Sequence, residues 1–202
     1  MSRVVVMNAN LSGPARSDPD LWHAVGSGDE LAFRDLFLRY SDMVYNYCFR
    51  STGSWSLAED AVQATFAALW RRAVAGKIED LRLDSARPLL FAMARDECSN
   101  LNRSRSRRVR LVDHLGSASS DAVDNTEAWV ESEATMQAIR QALAVLPRHQ
   151  RDVVELVAWS GLSMAEAAAT LKISVGTAKS RLSRARSRLA NTEIATLLGE
   201  SR

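Results

Sequence analysis

Residues 163–188 read SMAEAAATLKISVGTAKSRLSRARSR, and this stretch decides the fold. Ser163-Met164-Ala165-Glu166 has the form of a capping box, in which a hydroxyl and a carboxylate satisfy opposite ends of a helix's first turn. It opens a short helix that closes at Leu171. Lys172-Ile173-Ser174 is a tight turn, and Ser174 caps a longer helix from Val175 to about Asn191. In that helix Ala178, Leu182, Ala185 and Leu189 share the inward face. Ala167 and Ala168 are the small residues that let two helices cross closely. Two capped helices joined this way make a helix-turn-helix.

The outer face of the second helix is cationic. Lys172, Lys179, Arg181, Arg184, Arg186 and Arg188 occur with no acid among them. A solvated surface helix usually mixes signs at four-residue spacing, and this one does not. A narrow apolar stripe opposite such a face suits a helix lying in the DNA major groove. Thr177, Ser180 and Arg181 stand near the N-terminal end, where hydroxyls and the helix dipole favour a phosphate. Lys179 and Arg184 lie further along, placed to pair with guanine O6 and N7, and Arg188 extends the same face. The motif is specific for DNA binding but not for the kind of regulator.

Working outward, the second half begins with a helix over about 126–145, and Leu146-Pro147 starts another that Gly161 closes. Before it, residues 111–125 carry Asp113, Asp121 and Asp124 without Lys or Arg, and include Gly116-Ser117-Ala118-Ser119-Ser120. Asn102 to Arg110 is the opposite, with Arg103, Arg105, Arg107, Arg108 and Arg110 and no acid. This charge reversal marks a flexible acidic linker between two domains.

The first half reads as four helices. Asp18-Pro19 caps a short one, and Phe33, Leu36, Phe37, Tyr40, Val44, Tyr47 and Cys48 form one face of a long one that Gly53 stops. Ser56-Leu57-Ala58-Glu59 has the form of a second capping box, and Ala58, Val62, Phe66, Leu69 and Ala73 form the stripe of the helix it opens. Asp60, Gln63 and Arg71 are left on another face. Residues 77–85 are irregular, and a helix over about 86–108 buries Leu90, Met93, Ala94, Cys98 and Leu101. The expected organisation is a flexible tail over 1–17, a domain over 18–110, the linker over 111–125, a domain over 126–192 and a tail over 193–202. No segment alternates with period two, so the fold class is all-α: two small helical domains, the C-terminal one a helix-turn-helix.

Composition excludes several classes. Apolar residues at 47% and charged residues at 25% are those of an ordinary globular chain. No apolar run approaches the ~20 residues of a membrane span, so no membrane insertion and a cytoplasmic address are expected. Cys48 and Cys98 read as reduced core thiols. His23, His114 and His149 are scattered, no Cys/His cluster has metal-ligand spacing, and neither a phosphate loop nor a nucleophile motif is present. An enzyme is not expected, nor a metal or cofactor.

Leu146-Pro147-Arg148-His149-Gln150-Arg151, Gly161-Leu162-Ser163 and the run from Ser174 through Arg186 resemble the promoter-binding domain of extracytoplasmic-function (ECF, group IV) RNA polymerase sigma factors. Ala58 to Gln63 with Phe66 and Trp70 resembles that family's polymerase-docking helix, and Leu89 to Arg95 leading into Arg103–Arg108 its −10-reading helix. The likeness covers about residues 20–190 in the family's order. It implies that Asp60, Gln63 and Arg71 dock on the clamp helices of the polymerase largest subunit. It assigns −10 DNA to Lys77, Arg95, Asn102, Arg103, Arg105, Arg107 and Arg108, and −35 DNA to Thr177, Lys179, Ser180, Arg181, Arg184 and Arg188. An anti-sigma factor wedged between the domains is a further partner the family suggests.

Four positions depart from the family pattern: Leu89 in place of Trp, Asp96 in place of Asn, Ala64 in place of an acid, and Lys172 in place of the turn Gly. Other readings explain less. A sigma mimic has no need of Lys179, Arg181 and Arg184, and a one-component transcription factor leaves the docking-like helix and the arginine block without a role.

Overall fold

The computed structural model describes residues 16–115 and 127–191. Residues 1–15 of the expected tail over 1–17, residues 116–125 of the expected linker over 111–125, the expected tail over 193–202, and residues 126 and 192 lie outside the described residues. Those described form eight α-helices and one π-helical turn, with no strand among them. The N-terminal bundle comprises α1 (Asp18–Gly26), α2 (Glu30–Thr52), α3 (Trp55–Val74) and α4 (Arg87–Leu115). The C-terminal half comprises α5 (Glu127–Leu143), α6 (Arg148–Val154) with the π turn Glu155–Trp159, α7 (Met164–Thr170) and α8 (Val175–Ala190).

The expected helix faces are the buried ones. Leu36, Val44, Tyr47 and Cys48 of α2 meet Ala58, Leu69 and Ala73 of α3 and Leu90, Phe91, Ala94 and Cys98 of α4 in one core. Tyr47 and Phe91 pack edge to face at 5.4 Å, the arrangement their ring quadrupoles prefer. Cys48 and Cys98 are free and buried. Their mutual hydrogen bond, then burial, push the Cys48 thiol above its ordinary range, so it is an inert core group.

Helix starts and stops differ from expectation in three places. The first cap is Ser17, whose hydroxyl accepts from the Asp20 N–H while the Asp20 carboxylate reaches back. Asp18 turns inward, accepting from Arg39 Nη1 at 2.6 Å, from the Tyr40 hydroxyl, and from the Ala86 N–H at 2.8 Å just before α4. The Ser56–Glu59 capping box does not form. Helix α3 starts at Trp55, and its first N–H donates to Glu133 Oε1 of α5 at 2.6 Å. A tertiary carboxylate replaces the local one, satisfying an orphan donor at the positive end of the helix. Helix α4 runs on to Leu115, seven residues past the expected end near Arg108.

The core does not stop at the linker. Leu156, Leu162 and Ala167 from the C-terminal half belong to the same buried cluster as the N-terminal bundle. A second, smaller cluster holds Leu143, Leu146 and Ala185, with Val154, Trp159 and Leu189 against it. The π turn lies on α2 and α7 lies on α4. A leucine buried to the extent of Leu156 and Leu162, 0% and 3% exposed, contributes roughly 1.5–3 kcal/mol, so the seam between the halves is an apolar interface.

Candidate nucleic-acid interface

The helix-turn-helix forms as its sequence dictates. The Ser163 hydroxyl accepts from the Glu166 N–H at 3.2 Å, and Glu166 Oε2 accepts from the Ser163 N–H at 2.8 Å. Lys172 has φ 53°, the left-handed conformation that costs a side-chain-bearing residue about 1 kcal/mol. Its ammonium lies 3.4 Å from Glu79 Oε1. Ser174 caps α8 by accepting from the Thr177 N–H at 3.0 Å. Ala167, Ala168, Ala178 and Ala185 are buried where α7 and α8 meet the rest of the domain.

This packing leaves the cations of α8 outside. Lys179, Arg184, Arg186 and Arg188 are exposed and Arg181 is half-buried. Lys179, Arg184 and Arg186 form no ion pair with the described residues. The Thr177 hydroxyl shares a 2.8 Å hydrogen bond with Ser174, and the Ser180 hydroxyl donates to the Thr177 carbonyl. Those two hydroxyls already hold intrahelical partners that a phosphate would have to replace.

The residues expected at −10 DNA divide into three groups. Arg103, Arg105, Arg107 and Arg108 project from the exposed face of α4, and Lys77 is exposed in the loop before it. Asn102 is engaged, donating from Nδ2 to the Ser51 carbonyl at 3.1 Å. Arg95 is half-buried between Asp96 at 3.2 Å and Asp152 of α6 at 4.0 Å. Thr170, Leu171 and Lys172 of the helix-turn-helix line one small cleft with Ile78, Glu79, Leu89, Ala92, Arg95 and Asp96. The turn of the helix-turn-helix thus lies over the first half of α4 and the loop before it. Asp60, Gln63 and Arg71 are exposed together on α3, away from the stripe that packs in the core.

The seam is held by arginines that cap helix ends across it. Arg140 Nη1 donates to the Thr52 carbonyl at 2.5 Å and Gln137 Nε2 to the Gly53 carbonyl at 2.9 Å, at the C-terminus of α2. In the other direction Arg50 Nη1 reaches the Trp159 carbonyl at 3.1 Å, and Arg87 Nη2 reaches the Ser160 and Gly161 carbonyls at 2.8 and 3.0 Å. A helix C-terminus leaves orphan carbonyls and partial negative charge, and a guanidinium satisfies both. None of these contacts was foreseen. An arginine bonding to a distant backbone carbonyl leaves no periodic or motif signal.

Arg95, Arg103 and Arg107 of α4 face Arg140 of α5 and Arg148 and Arg151 of α6 across a cleft of about 500 Å³ between the halves. Asp152 and Glu155 are the only acids lining it among the described residues. Burial first, then Asp152, push the Glu155 carboxyl up to about 7, against the pull of Arg151, Arg140 and Arg148. Burial, together with Arg105 and Arg151, draws the Arg140 guanidinium below its ordinary value, against the pull of Glu155. No group of His, Cys, Asp and Glu among the described residues is arranged to hold a metal.

Two family descriptions match this architecture: Sigma-70 region 2 over residues 36–108 and Sigma-70, region 4 over residues 136–189. The N-terminal match lies within the α1–α4 bundle and the C-terminal one includes the helix-turn-helix, the two-part layout of a sigma factor. The ECF RNA polymerase sigma factor SigL of Mycobacterium tuberculosis is 33% identical over 152 residues, 74% of this chain and 81% of SigL. CnrH, solved in complex with the cytosolic domain of CnrY, superposes with a TM-score of 0.64 at 26% identity, covering 93% of this chain and all of CnrH. The sigma factor RpoE, solved with the anti-sigma factor NepR from Bartonella quintana, gives 0.56 at 28% identity, over 84% of this chain and 98% of RpoE. The chain belongs to the ECF RNA polymerase sigma factors.

Proposed function

We propose that this chain carries out promoter-specific transcription initiation by dividing the work between its halves, with α3 as the polymerase dock. On core RNA polymerase, Asp60, Gln63 and Arg71 meet the clamp helices of the largest subunit. Lys179 and Arg184 read −35 base edges in the major groove, where a bidentate Arg–guanine pair is worth about 1–3 kcal/mol of discrimination. Thr177, Ser180, Arg181 and Arg188 hold the flanking phosphates and set the register. Arg103, Arg105, Arg107 and Arg108 hold the backbone of the opened −10 strand, with Lys77, Arg95 and Asn102 beside them. Such contacts weaken by ~0.7 log units per log unit of salt for each single-strand phosphate neutralised.

The observation that carries this reading is the set of exposed cations on a capped, acid-free helix that packs on α6 and α7 of its own half. The protein supplies binding and orientation, with no chemistry of its own, and works in the cytoplasm where the polymerase and promoters are. No helix among the described residues is long and apolar enough to cross a membrane.

The arrangement also implies movement. A compact chain of 202 residues is roughly 40 Å across. The ~25 base pairs separating the two elements span roughly 85 Å of duplex. The closed form therefore cannot engage both elements, and the seam opens as polymerase spreads the halves along the promoter. An anti-sigma factor, such as the NepR bound to RpoE, acts in the opposite sense by holding the reading faces covered. Charge reversal at Asp60 together with Gln63→Ala tests the dock. Core polymerase should no longer be retained by the variant, while duplex −35 DNA still is. Retention equal to the wild type would place the dock elsewhere.

A further inference from the structure

The interdomain cleft has a charge imbalance that DNA reading explains only in part: Arg95, Arg103 and Arg107 are proposed for −10 DNA, whereas Arg140, Arg148 and Arg151 are not. Six guanidiniums converge on it from both halves, against two carboxylates, and Arg140 is mostly buried there. Arg103 is turned back on its own helix, to the Ser99 carbonyl and Asn100 Oδ1, while Arg148 makes a single side-chain bond across the seam, to Ser99 Oγ at 3.1 Å. Arg107 and Arg151 make no hydrogen bond to a described residue, and the Nε of Arg95 is buried without a partner. Like charges brought together in a cleft repel one another, most of all at the half-buried Arg95, Arg140 and Arg151, where the screening that weakens them at a surface is reduced. Closing the halves draws these charges together, so a bound anion would favour closure.

We propose that this cleft binds an oligophosphate, two or three linked phosphate groups as in inorganic tripolyphosphate or a nucleotide tail, and that occupancy holds the two halves closed. The cleft, about 500 Å³, falls within the ~300–1,000 Å³ of small-ligand sites. The excess of about four positive charges matches two linked phosphates at about −1.5 to −2 each, and a third would slightly exceed it. Arginine forks on opposing walls suit an anion with several acceptor oxygens, which chloride or a single carboxylate lacks. Because the walls come from different halves, the ligand binds the closed form alone and stabilises it by mass action. Arg103 and Arg107 are also the proposed holders of the −10 strand, so ligand and promoter exclude each other. The factor would then be restrained by phosphate status without a protein partner.

Calorimetric titration of the full chain with inorganic tripolyphosphate, at constant ionic strength, tests this directly. Saturable one-to-one binding is expected. Arg103→Gln and Arg148→Gln, both at exposed positions, should each weaken it about tenfold, and Arg34→Gln, on the exposed face of α2, should leave it unchanged. Parallel titrations with a nucleoside triphosphate and a single-stranded oligonucleotide identify the source. Tighter binding of the nucleotide points to nucleotides and equal binding to the phosphate chain alone, both in support. Absence of saturable binding, equal binding by all three variants, or binding of the oligonucleotide alone would overturn the proposal. Its failure would leave the promoter-reading roles untouched, because those are read in the presence of core polymerase.

Discussion

The guanidinium of Arg87 lies 3.4 Å from the carboxylate of Glu166, joining the first turn of α4 to the capping box of the helix-turn-helix. The same guanidinium holds the Ser160 and Gly161 carbonyls. One side chain therefore ties α4 to two segments of the C-terminal half. Bonds to a charged donor are worth about 1.5–3 kcal/mol each where water is excluded. Glu166 keeps its cap on Ser163 without Arg87, so Arg87→Ala should loosen the seam and leave the helix-turn-helix folded. The radius of gyration from small-angle X-ray scattering should rise, with unchanged helical circular dichroism. An unchanged radius would show that the apolar contacts of Leu156 and Leu162 hold the seam unaided.

Glu155 makes the closed form sensitive to pH. Its carboxyl, raised to about 7, faces Asp152 on its own segment, Arg140 from α5, Arg148 and Arg151 from α6, and Tyr47 from α2. The folded chain holds a proton that the unfolded chain releases at the ordinary carboxylate value. That contribution is complete below the unfolded value and is lost as the pH rises through about 7. Wild-type Tm should fall between about pH 5 and pH 7 and level off above that, and Glu155→Gln should remove most of that slope. Parallel slopes in the two proteins would mean that Glu155 is solvated.

Gly53 is held by two independent constraints. Its φ is +65°, and a Cβ there would meet Gln137 Nε2 at 2.7 Å. Gly53→Ala should lose about 1–2 kcal/mol from the backbone conformation alone. Gln137→Ala in the same chain should recover only the part due to the contact, as read by urea unfolding. Full recovery would show that the left-handed conformation costs nothing here.

What was legible beforehand was local. The stripes of α2, α3 and α4 repeat every three or four residues, and the Ser163–Glu166 box closes within one turn, so both can be read from neighbouring letters. The Ser56–Glu59 box has the same letters but lost to Glu133, which lies 78 residues from Trp55 and supplies the cap from another helix. Ser17 was passed over because Asp18-Pro19 also looks like a helix start, while Asp18 is taken inward by Arg39, Tyr40 and Ala86. The cations of α8 were readable because they recur along one helix with no acid among them. Arg148 and Arg151 were visible only as part of a motif, and Arg140 not at all. Their cleft exists only when the two halves meet.

Run-off transcription with core polymerase, with and without this chain, on a library of genomic templates tests the sigma assignment most directly. A promoter-dependent transcript should appear only when the chain is added. Arg184→Ala should lower it and relax preference at one −35 position by about 1–3 kcal/mol. No promoter-dependent transcript from any template, with duplex binding by the free chain intact, would contradict the sigma assignment. Unchanged −35 preference in Arg184→Ala would place that side chain off the bases.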